Sequence, residues 1–100
     1  MTARVMIRWK LGADAPARHE ELLRTVYAEL DALRPRGLRY DTYRLDDEVT
    51  FVSFVELADG PGVLGGLPAF QRYRAALDTL CAEAPEMTVL HSAGAYTSLG

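Results

Sequence analysis

The chain contains one cysteine in 100 residues, Cys81, and this scarcity removes several classes of chemistry. A single thiol cannot form an internal disulfide or build a cluster of thiolate metal ligands. Its neighbours Leu80 and Ala82 are apolar, which indicates a small buried hydrophobic residue rather than a nucleophile. Only His19 and His91 supply imidazoles, and two histidines without a third ligand at a known spacing predict no metal site.

Charge of one sign and long hydrophobic runs are also lacking. The net charge is −3, and 11 basic residues are scattered among 14 acidic ones, so neither nucleic acid nor a membrane is an expected partner. No apolar stretch approaches the length of a membrane span, and residues 1–5 lack the apolar region of a signal peptide. We therefore expect a cytoplasmic protein, and the Ala-, Arg- and Leu-rich composition suggests a bacterial source.

Length and composition predict one domain spanning residues 1–100, since 49% hydrophobic and 25% charged residues are typical of a globular protein. Residues 3–11 alternate apolar and polar side chains, which predicts a strand. A helix is expected next, with Asp14 as its N-cap, Pro16 in its first turn and an apolar stripe that runs to Leu33.

Two strands separated by a short turn follow this helix: residues 38–45 and residues 49–57. Because a parallel pair needs a long crossover, so short a connection permits only an antiparallel hairpin. With a three-residue turn, Tyr43 lies opposite Phe51 and Tyr40 lies opposite Phe54. These two aromatic pairs would help to set the register of the hairpin.

The last third of the chain predicts one more helix and one more strand. A glycine-rich stretch at 60–66 precedes a helix at 67–84, which Pro85 ends, and residues 87–97 form the final strand. The order strand, helix, strand, strand, helix, strand is that of the ferredoxin-like α+β fold. Right-handed crossovers place both helices on one face of a four-stranded antiparallel sheet, with the first and third strands central.

The third predicted strand is apolar on both of its faces. Alternation places Phe51, Val55 and Leu57 on one side and Val52 and Phe54 on the other. Two helices cover only one sheet face, and leaving large apolar side chains in water costs about 1.5–3 kcal/mol each. We therefore expect a homodimer that forms through the open sheet face.

Two segments carry a family resemblance. Residues 51–56 read Phe-Val-Ser-Phe-Val-Glu, and residues 67–74 read Leu-Pro-Ala-Phe-Gln-Arg-Tyr-Arg. In a β-α-β-β-α-β chain of this length they resemble the dimeric α+β barrel superfamily, and within it the antibiotic-biosynthesis-monooxygenase-like proteins. The resemblance implies sheet-to-sheet pairing of two copies and a ligand between the sheet and the helices. For some members it also implies oxygenation of polycyclic phenols without a cofactor.

The chain departs from the family pattern in two places. Residues 68–70 read Pro-Ala-Phe where the family often has Pro-His-Phe, and residues 65–66 are glycines where an earlier helix histidine would fall. Haem-binding members need that histidine, so haem degradation is not expected, and we expect no cofactor. The Asn and Trp found near catalytic sites of the oxygenases have no clear counterpart, because Trp9 lies on another element.

His91 and Tyr73 are the candidate catalytic residues. His91, in the predicted last strand, is the candidate base because imidazole titrates near neutral pH. Tyr73 lies beside the apolar stripe of the helix that borders the expected cleft, and is the candidate oxyanion donor. A histidine in a core or an interface is more common than a base, and this reading applies more strongly to His19.

Five further residues are candidates for ligand binding: Trp9, Tyr40, Phe70, Arg8 and Glu56. The aromatic side chains would stack on or hydrogen-bond to a phenolic or quinone ligand, although aromatics at strand and helix positions are more often core residues. Arg8 and Glu56, on neighbouring central strands, would form an ion pair or anchor a polar group of the ligand.

Residues 60–65 match G-x-G-x-x-G, but the preceding strand belongs to a hairpin, so we interpret the segment as a flexible loop rather than a dinucleotide site.

Two hypotheses about the function of the protein are nearly equal in support. The first is a cofactor-independent monooxygenase that acts on a small aromatic or polyketide-type substrate. The second is a homodimer of the same fold that binds a small molecule, or serves a structural role, without turnover.

Overall fold

The computed structural model describes residues 2–58 and 62–98, without the side chains of residues 62 and 63. In chain order the elements are β1 (Ala3–Leu11), α1 (Pro16–Leu33), β2 (Leu38–Arg44), β3 (Thr50–Leu57), the short α2 (Gly62–Gly65), α3 (Pro68–Leu80) and β4 (Cys81–Val89). The G-x-G-x-x-G segment lies partly outside the described residues, and its described part forms α2.

The four strands form one antiparallel sheet in the order β2-β3-β1-β4, with α1 and α3 packed against each other. This confirms the predicted ferredoxin-like α+β fold, including the central positions of β1 and β3. None of the helices within the described ranges has the length and apolar character needed to cross a membrane.

The two faces of β3 differ in burial. Phe51, Val55 and Leu57 are buried under the helices, whereas Phe54 is 41% exposed on the open face. Strand alternation on β1 is equally clear, because Trp9 and Leu11 are 2% exposed and therefore lie on the helix side. Phe51, not Phe54, is thus the aromatic side chain of β3 that belongs beneath the helices.

The predicted start of the first helix is wrong by one residue. The N-cap of α1 is Ala15 rather than Asp14, and no side chain hydrogen-bonds to the first turn. Pro16 occupies the start of the helix, where its fixed φ and missing N–H are tolerated. The predicted end at Leu33 is confirmed, and the Arg34 N–H donates to the Leu30 carbonyl at 2.8 Å.

The predicted boundary between the second long helix and the last strand is also wrong. The helix ends at Leu80 instead of residue 84, and β4 occupies residues 81–89 instead of 87–97. Residues 81–84 have good helix formers, but the free edge of β1 offers hydrogen-bond partners, and Cys81 pairs with Leu11. Pro85 adds to this effect, because a residue that precedes proline is disfavoured in the helical region.

The register of the β2–β3 hairpin differs from the prediction by one residue. Tyr40 lies opposite Val55 and Tyr43 lies opposite Val52, so neither predicted aromatic pair forms. The Leu45 N–H donates to the Thr50 carbonyl at 2.8 Å, which leaves four residues in the turn instead of three. A single-residue shift of this kind exchanges every cross-strand partner.

The Asp47 carboxylate holds this turn together. It accepts hydrogen bonds from the Val49 N–H at 3.0 Å and from the Thr50 N–H at 2.8 Å, and the Thr50 hydroxyl also donates to it. These bonds, those from Thr50 foremost, lower the pKa of the Asp47 carboxyl.

We expect Asp47→Ala to lower the free energy of unfolding and the urea midpoint, because three donors lose their acceptor. Asp46→Ala is the matched control, since the neighbouring carboxylate makes no hydrogen bond to a described residue. Urea titrations followed by circular dichroism measure both variants. Equal losses for the two would contradict the role assigned to Asp47.

Candidate functional site

Four buried aromatic side chains meet between the sheet and the two long helices, and we call them the His19 cluster: Trp9, His19, Phe51 and Tyr73. Trp9 and Phe51 lie opposite each other on β1 and β3, with stacked rings 5.8 Å apart between centroids. The His19 ring, from α1, lies 4.4 Å from the Phe51 ring and 5.5 Å from the Tyr73 ring of α3.

Two donors converge on the single lone pair of one nitrogen of His19. The Trp9 Nε1–H donates to His19 Nε2 at 3.2 Å, and the Tyr73 hydroxyl lies 2.8 Å from the same nitrogen. An indole N–H can only donate, so His19 Nε2 must act as an acceptor and carries no proton. With Nε2 unprotonated, the Tyr73 hydroxyl can only donate to it, and it shares the one lone pair of this nitrogen with the Trp9 N–H.

Burial sets the protonation of this cluster. His19 is 1% exposed, and burial lowers the pKa of its imidazole from 6.5 to about 4. Burial also raises the pKa of the Tyr73 hydroxyl. At neutral pH both groups are therefore uncharged, which agrees with an imidazole whose Nε2 acts as an acceptor.

A second polar network lies alongside the cluster, under β2 and β3. The Tyr27 hydroxyl donates to the Tyr40 carbonyl at 3.0 Å and lies 2.9 Å from Thr42 Oγ1, which is 2.8 Å from Ser53 Oγ. The Tyr27 and Tyr40 rings stack at 5.4 Å. Burial, the largest cause, raises the pKa of Tyr27 to about 12, so the hydroxyl remains protonated and able to donate.

An apolar cleft of about 240 Å³ opens between the sheet and α3, and we call it the α3 cleft. Its walls include Val5, Ile7, Val55, Phe70 and Met87, and Arg74 is the one charged residue among the described residues that line it. No carboxylate of a described residue lies within 4.0 Å of the Arg74 guanidinium.

A second cleft of about 220 Å³ opens on the other side of the core, where α1 faces the β2–β3 hairpin. We call it the His19 cleft, because the His19 ring forms part of its wall together with Phe51. Arg44 brings a positive charge to this cleft, and Glu20 and Glu48 bring negative charges, so it is more polar than the α3 cleft.

The structure brings four of the seven predicted site residues together beneath the helices: Trp9, Tyr40, Phe70 and Tyr73. Phe70 links two of the others, with ring centroids 6.0 Å from Tyr40 and 6.5 Å from Tyr73. Of these four, Phe70 lines the α3 cleft directly.

The predicted pairing of Arg8 with Glu56 is wrong. Glu56 lies opposite Arg4, and the Arg4 Nε is 3.2 Å from the Glu56 carboxylate, whereas Arg8 lies opposite Val52. Both residues belong to the open sheet face, so neither reaches the clefts under the helices. The four-residue difference follows from the antiparallel register, which residue spacing alone does not set.

The predicted strand position of His91 is also wrong. The strand ends at Val89, and His91 is exposed in the segment that follows it. Its side chain makes no hydrogen bond to any residue in the ranges 2–58 and 62–98. The role of His91 as a base stays a prediction.

Sequence reasoning interpreted His19 as a core or interface residue and assigned no functional role to it or to Arg74. Two signals pointed to His19, since it begins the apolar stripe of α1 and since Trp9 and Tyr73 need hydrogen-bond partners when buried. Arg74 follows the apolar residue Tyr73 on α3 and is exposed, so its sequence position resembles that of any solvated helix residue. Among the described residues, no three His, Cys, Asp or Glu side chains are grouped so as to hold a metal ion.

The comparisons with solved structures give the class of fold. The chain is similar to Rv0793 from Mycobacterium tuberculosis, at 24% identity over 97% of this chain and 100% of that one, with a TM-score of 0.75. It is also similar to a protein from Caulobacter crescentus provisionally described as an antibiotic biosynthesis monooxygenase, at 23% identity over 93% and 91% of the two chains, with a TM-score of 0.76.

A third similar structure is SnoaB, a cofactor-independent oxygenase from Streptomyces nogalater. The identity is 19%, the match covers 97% of this chain and 98% of that one, and the TM-score is 0.71. No family model matches the sequence, and no curated protein matches it either. At these identities the likeness concerns the fold, and at that level it confirms the resemblance to the antibiotic-biosynthesis-monooxygenase-like proteins.

The lowered pKa of His19 predicts that stability falls as the pH is lowered from about 6.5 to about 4. The unfolded chain protonates this imidazole near pH 6.5 but the folded chain does so only near pH 4, so protons favour unfolding within that window. The loss reaches about 3 kcal/mol at pH 4. Urea titrations at several pH values measure it by circular dichroism.

Two variants separate the contributions of the two histidines to this loss. His91→Ala should retain the pH dependence, whereas His19→Gln should flatten it between pH 4.5 and 6.5. Unchanged pH dependence in His19→Gln would contradict a neutral, buried imidazole.

Proposed function

We propose that the α3 cleft binds a small aromatic molecule with an acidic hydroxyl group and that the protein oxygenates it with O₂, without a cofactor. The observation that carries this proposal is an apolar cleft with one unpaired guanidinium, that of Arg74, among the described residues that line it. A cavity of about 150 Å³ is enough for benzene, so about 240 Å³ suits one or two fused rings. The likeness of fold to a cofactor-independent oxygenase adds support.

The chemistry requires a substrate that can become a phenolate. Arg74 would stabilise the phenolate oxygen by a charge-assisted hydrogen bond, which favours the ionised form. The carbon para to that oxygen is then electron-rich and adds to O₂. With 1-naphthol that carbon loses its hydrogen and gains a carbonyl oxygen, the hydroxyl oxygen becomes the second carbonyl, and the other O₂ oxygen leaves as water. One naphthol and one O₂ thus give one 1,4-naphthoquinone and one water.

The protein supplies little base strength to this cleft. Neither a carboxylate nor an imidazole is present among the described side chains that line it, and the low pKa of His19 makes that residue a weak proton acceptor. The mechanism therefore relies on ionisation of the substrate itself, with Arg74 shifting the balance. The reaction rate should accordingly follow the titration of the substrate hydroxyl.

We expect 1-naphthol to cause O₂ uptake that rises with pH through the ionisation of its hydroxyl group. Arg74→Gln should lower the uptake by about tenfold or more, because the phenolate loses a charged partner. Arg72→Gln is the matched control, since it removes the same charge from the same helix at a residue that does not line the cleft. An oxygen electrode and detection of the quinone product measure both variants.

Two results would count against this mechanism. Equal rates in Arg74→Gln and Arg72→Gln would remove the role of Arg74. Loss of uptake in His91→Ala, with Arg74→Gln unaffected, would favour the predicted base and overturn a mechanism based on substrate ionisation.

The second candidate function is binding without turnover. The lack of a base among the described lining residues favours it, since a binding site needs only the apolar walls and the guanidinium. Calorimetry distinguishes the two functions, because naphthol that binds without O₂ uptake indicates a binding protein, whereas naphthol that does not bind contradicts both.

We also propose that two copies of the chain pair through their open sheet faces. Phe54 is 41% exposed and Tyr43 is 55% exposed on this face, and their rings meet edge-to-face at 6.0 Å. A groove of about 470 Å³ runs beside them. The neighbouring charges are paired within the chain, Arg4 with Glu56 at 3.2 Å and Arg39 with Asp41 at 3.0 Å, which lowers the cost of covering them.

We expect the protein to be a dimer at micromolar concentration and Phe54→Lys to shift it towards monomer, because the substitution places a charge at the centre of the contact. Leu33→Lys is the matched control, since Leu33 is 59% exposed but lies on α1, away from the open face. Light scattering on a sizing column measures the mass. A monomeric wild-type protein would contradict the proposal.

A further inference from the structure

The His19 cleft has features that the α3 cleft and its proposed chemistry do not use. Trp9 donates to His19 Nε2 at 3.2 Å, and because an indole nitrogen has no acceptor role, this bond determines the tautomer of the imidazole. The ring proton of neutral His19 therefore lies on Nδ1. The Tyr73 hydroxyl, 2.8 Å from Nε2, stabilises the same tautomer.

The Nδ1 edge of His19 is the edge available to a ligand. Nδ1 makes no hydrogen bond to a described residue, and no buried side-chain nitrogen among these residues is without a partner. Nδ1 therefore carries part of the small accessible area of His19, which is 1% exposed, and the His19 ring forms part of the wall of the His19 cleft. The core thus holds one imidazole N–H as a donor with fixed orientation. Because the His19 side chain is already ordered, ligand binding costs it no further side-chain entropy.

The cleft is lined by one guanidinium, that of Arg44, and by two carboxylates, those of Glu20 and Glu48, so a carboxylate ligand would have to bind at Arg44. The Arg44 guanidinium has no carboxylate of a described residue within 4.0 Å, and it shares the cleft with the His19 donor. Glu20 is paired with Arg24 at 3.2 Å, and this exposed ion pair offsets part of its charge. Glu48, in the turn, is the remaining acid, and it disfavours any second negative charge on the ligand.

The size and the walls of the cleft limit the body of the ligand. Phe51, Leu23 and Pro16 provide apolar surface. The volume of about 220 Å³ exceeds the roughly 150 Å³ that holds benzene and lies below the 300–1,000 Å³ of pockets for drug-sized molecules. One six-membered ring with a short polar substituent fits these limits.

We infer that the His19 cleft is a binding site for a single-ring carboxylate, whose oxygens accept hydrogen bonds from His19 Nδ1–H and from Arg44. This site is distinct from the α3 cleft, and it does not depend on the proposed oxygenase function. Trp9 and Tyr73 act there as positioning residues, because they hold the imidazole in the tautomer that donates to the ligand.

The tautomer is tested first, on the wild-type protein without a ligand. In protein labelled with ¹⁵N at histidine, the correlation of ring nitrogens with ring carbon-bound protons distinguishes the two neutral forms. We expect His19 to be protonated at Nδ1 at pH 7. Protonation at Nε2, or a mixture of the two tautomers, would overturn the inference.

Ligand binding is tested by titration with benzoate, benzamide and benzylamine. Benzoate should shift the His19 ring signals with a Kd of about 1 mM, which is ordinary for nine non-hydrogen atoms. Benzamide, which lacks the charge, should bind about tenfold more weakly, and benzylamine should not bind. Equal affinities for benzoate and benzamide, or shifts confined to residues of the α3 cleft, would overturn the assignment.

Arg44→Gln should weaken benzoate binding by about tenfold or more, with the His19 tautomer unchanged. Arg18→Gln is the matched control, since it removes an equal charge from the exposed side of α1, where Arg18 pairs with Glu21. Equal affinities in the two variants would overturn the role of Arg44. Both substitutions are at exposed residues, so a loss of folding does not obscure the result.

Discussion

Two buried donors, the Trp9 N–H and the Tyr73 O–H, depend on one acceptor, the Nε2 of His19. A buried donor without a partner costs about 1–3 kcal/mol, so the arrangement of this core is strongly constrained. The three residues come from β1, α1 and α3, and the shared nitrogen therefore fixes both long helices against the sheet. It also fixes the protonation of the imidazole. The wall of the His19 cleft depends on this contact, since His19 and Phe51 form part of it.

The sheet divides the molecule into regions with different chemistry. Beneath the helices, Phe51 and Phe70 contribute to the walls of separate clefts, one with a polar rim and one that is nearly all apolar. On the open face, exposed aromatic side chains alternate with ion pairs that are satisfied within the chain. A second copy of the chain can cover such a face without leaving charges unpaired, because their partners are already adjacent.

The likeness to an oxygenase that needs no cofactor concerns the fold, and the chemistry must come from the site. In the α3 cleft, one guanidinium and apolar walls suit an aromatic anion. Because no carboxylate or imidazole is present among the described residues that line this cleft, the hydroxyl group of the substrate would have to ionise without a protein base. In the His19 cleft, a fixed imidazole donor and a second guanidinium suit a carboxylate. The same sheet and helices thus hold two clefts that would select different ligands through different donors.

Local pattern was enough to predict the order of the four strands and two long helices, the ferredoxin-like topology and the end of α1, because alternation, helical periodicity and proline act over a few residues. The hairpin register was not predictable, since four turn residues instead of three depend on the hydrogen bonds of Asp47. The early start of β4 was decided by the free edge of β1, which outweighs the helix propensity of residues 81–84. The role of His19 needed the tertiary structure most of all. Composition and spacing marked one histidine on an apolar stripe, but only the packing of three distant elements determined which nitrogen accepts and which one remains free to donate.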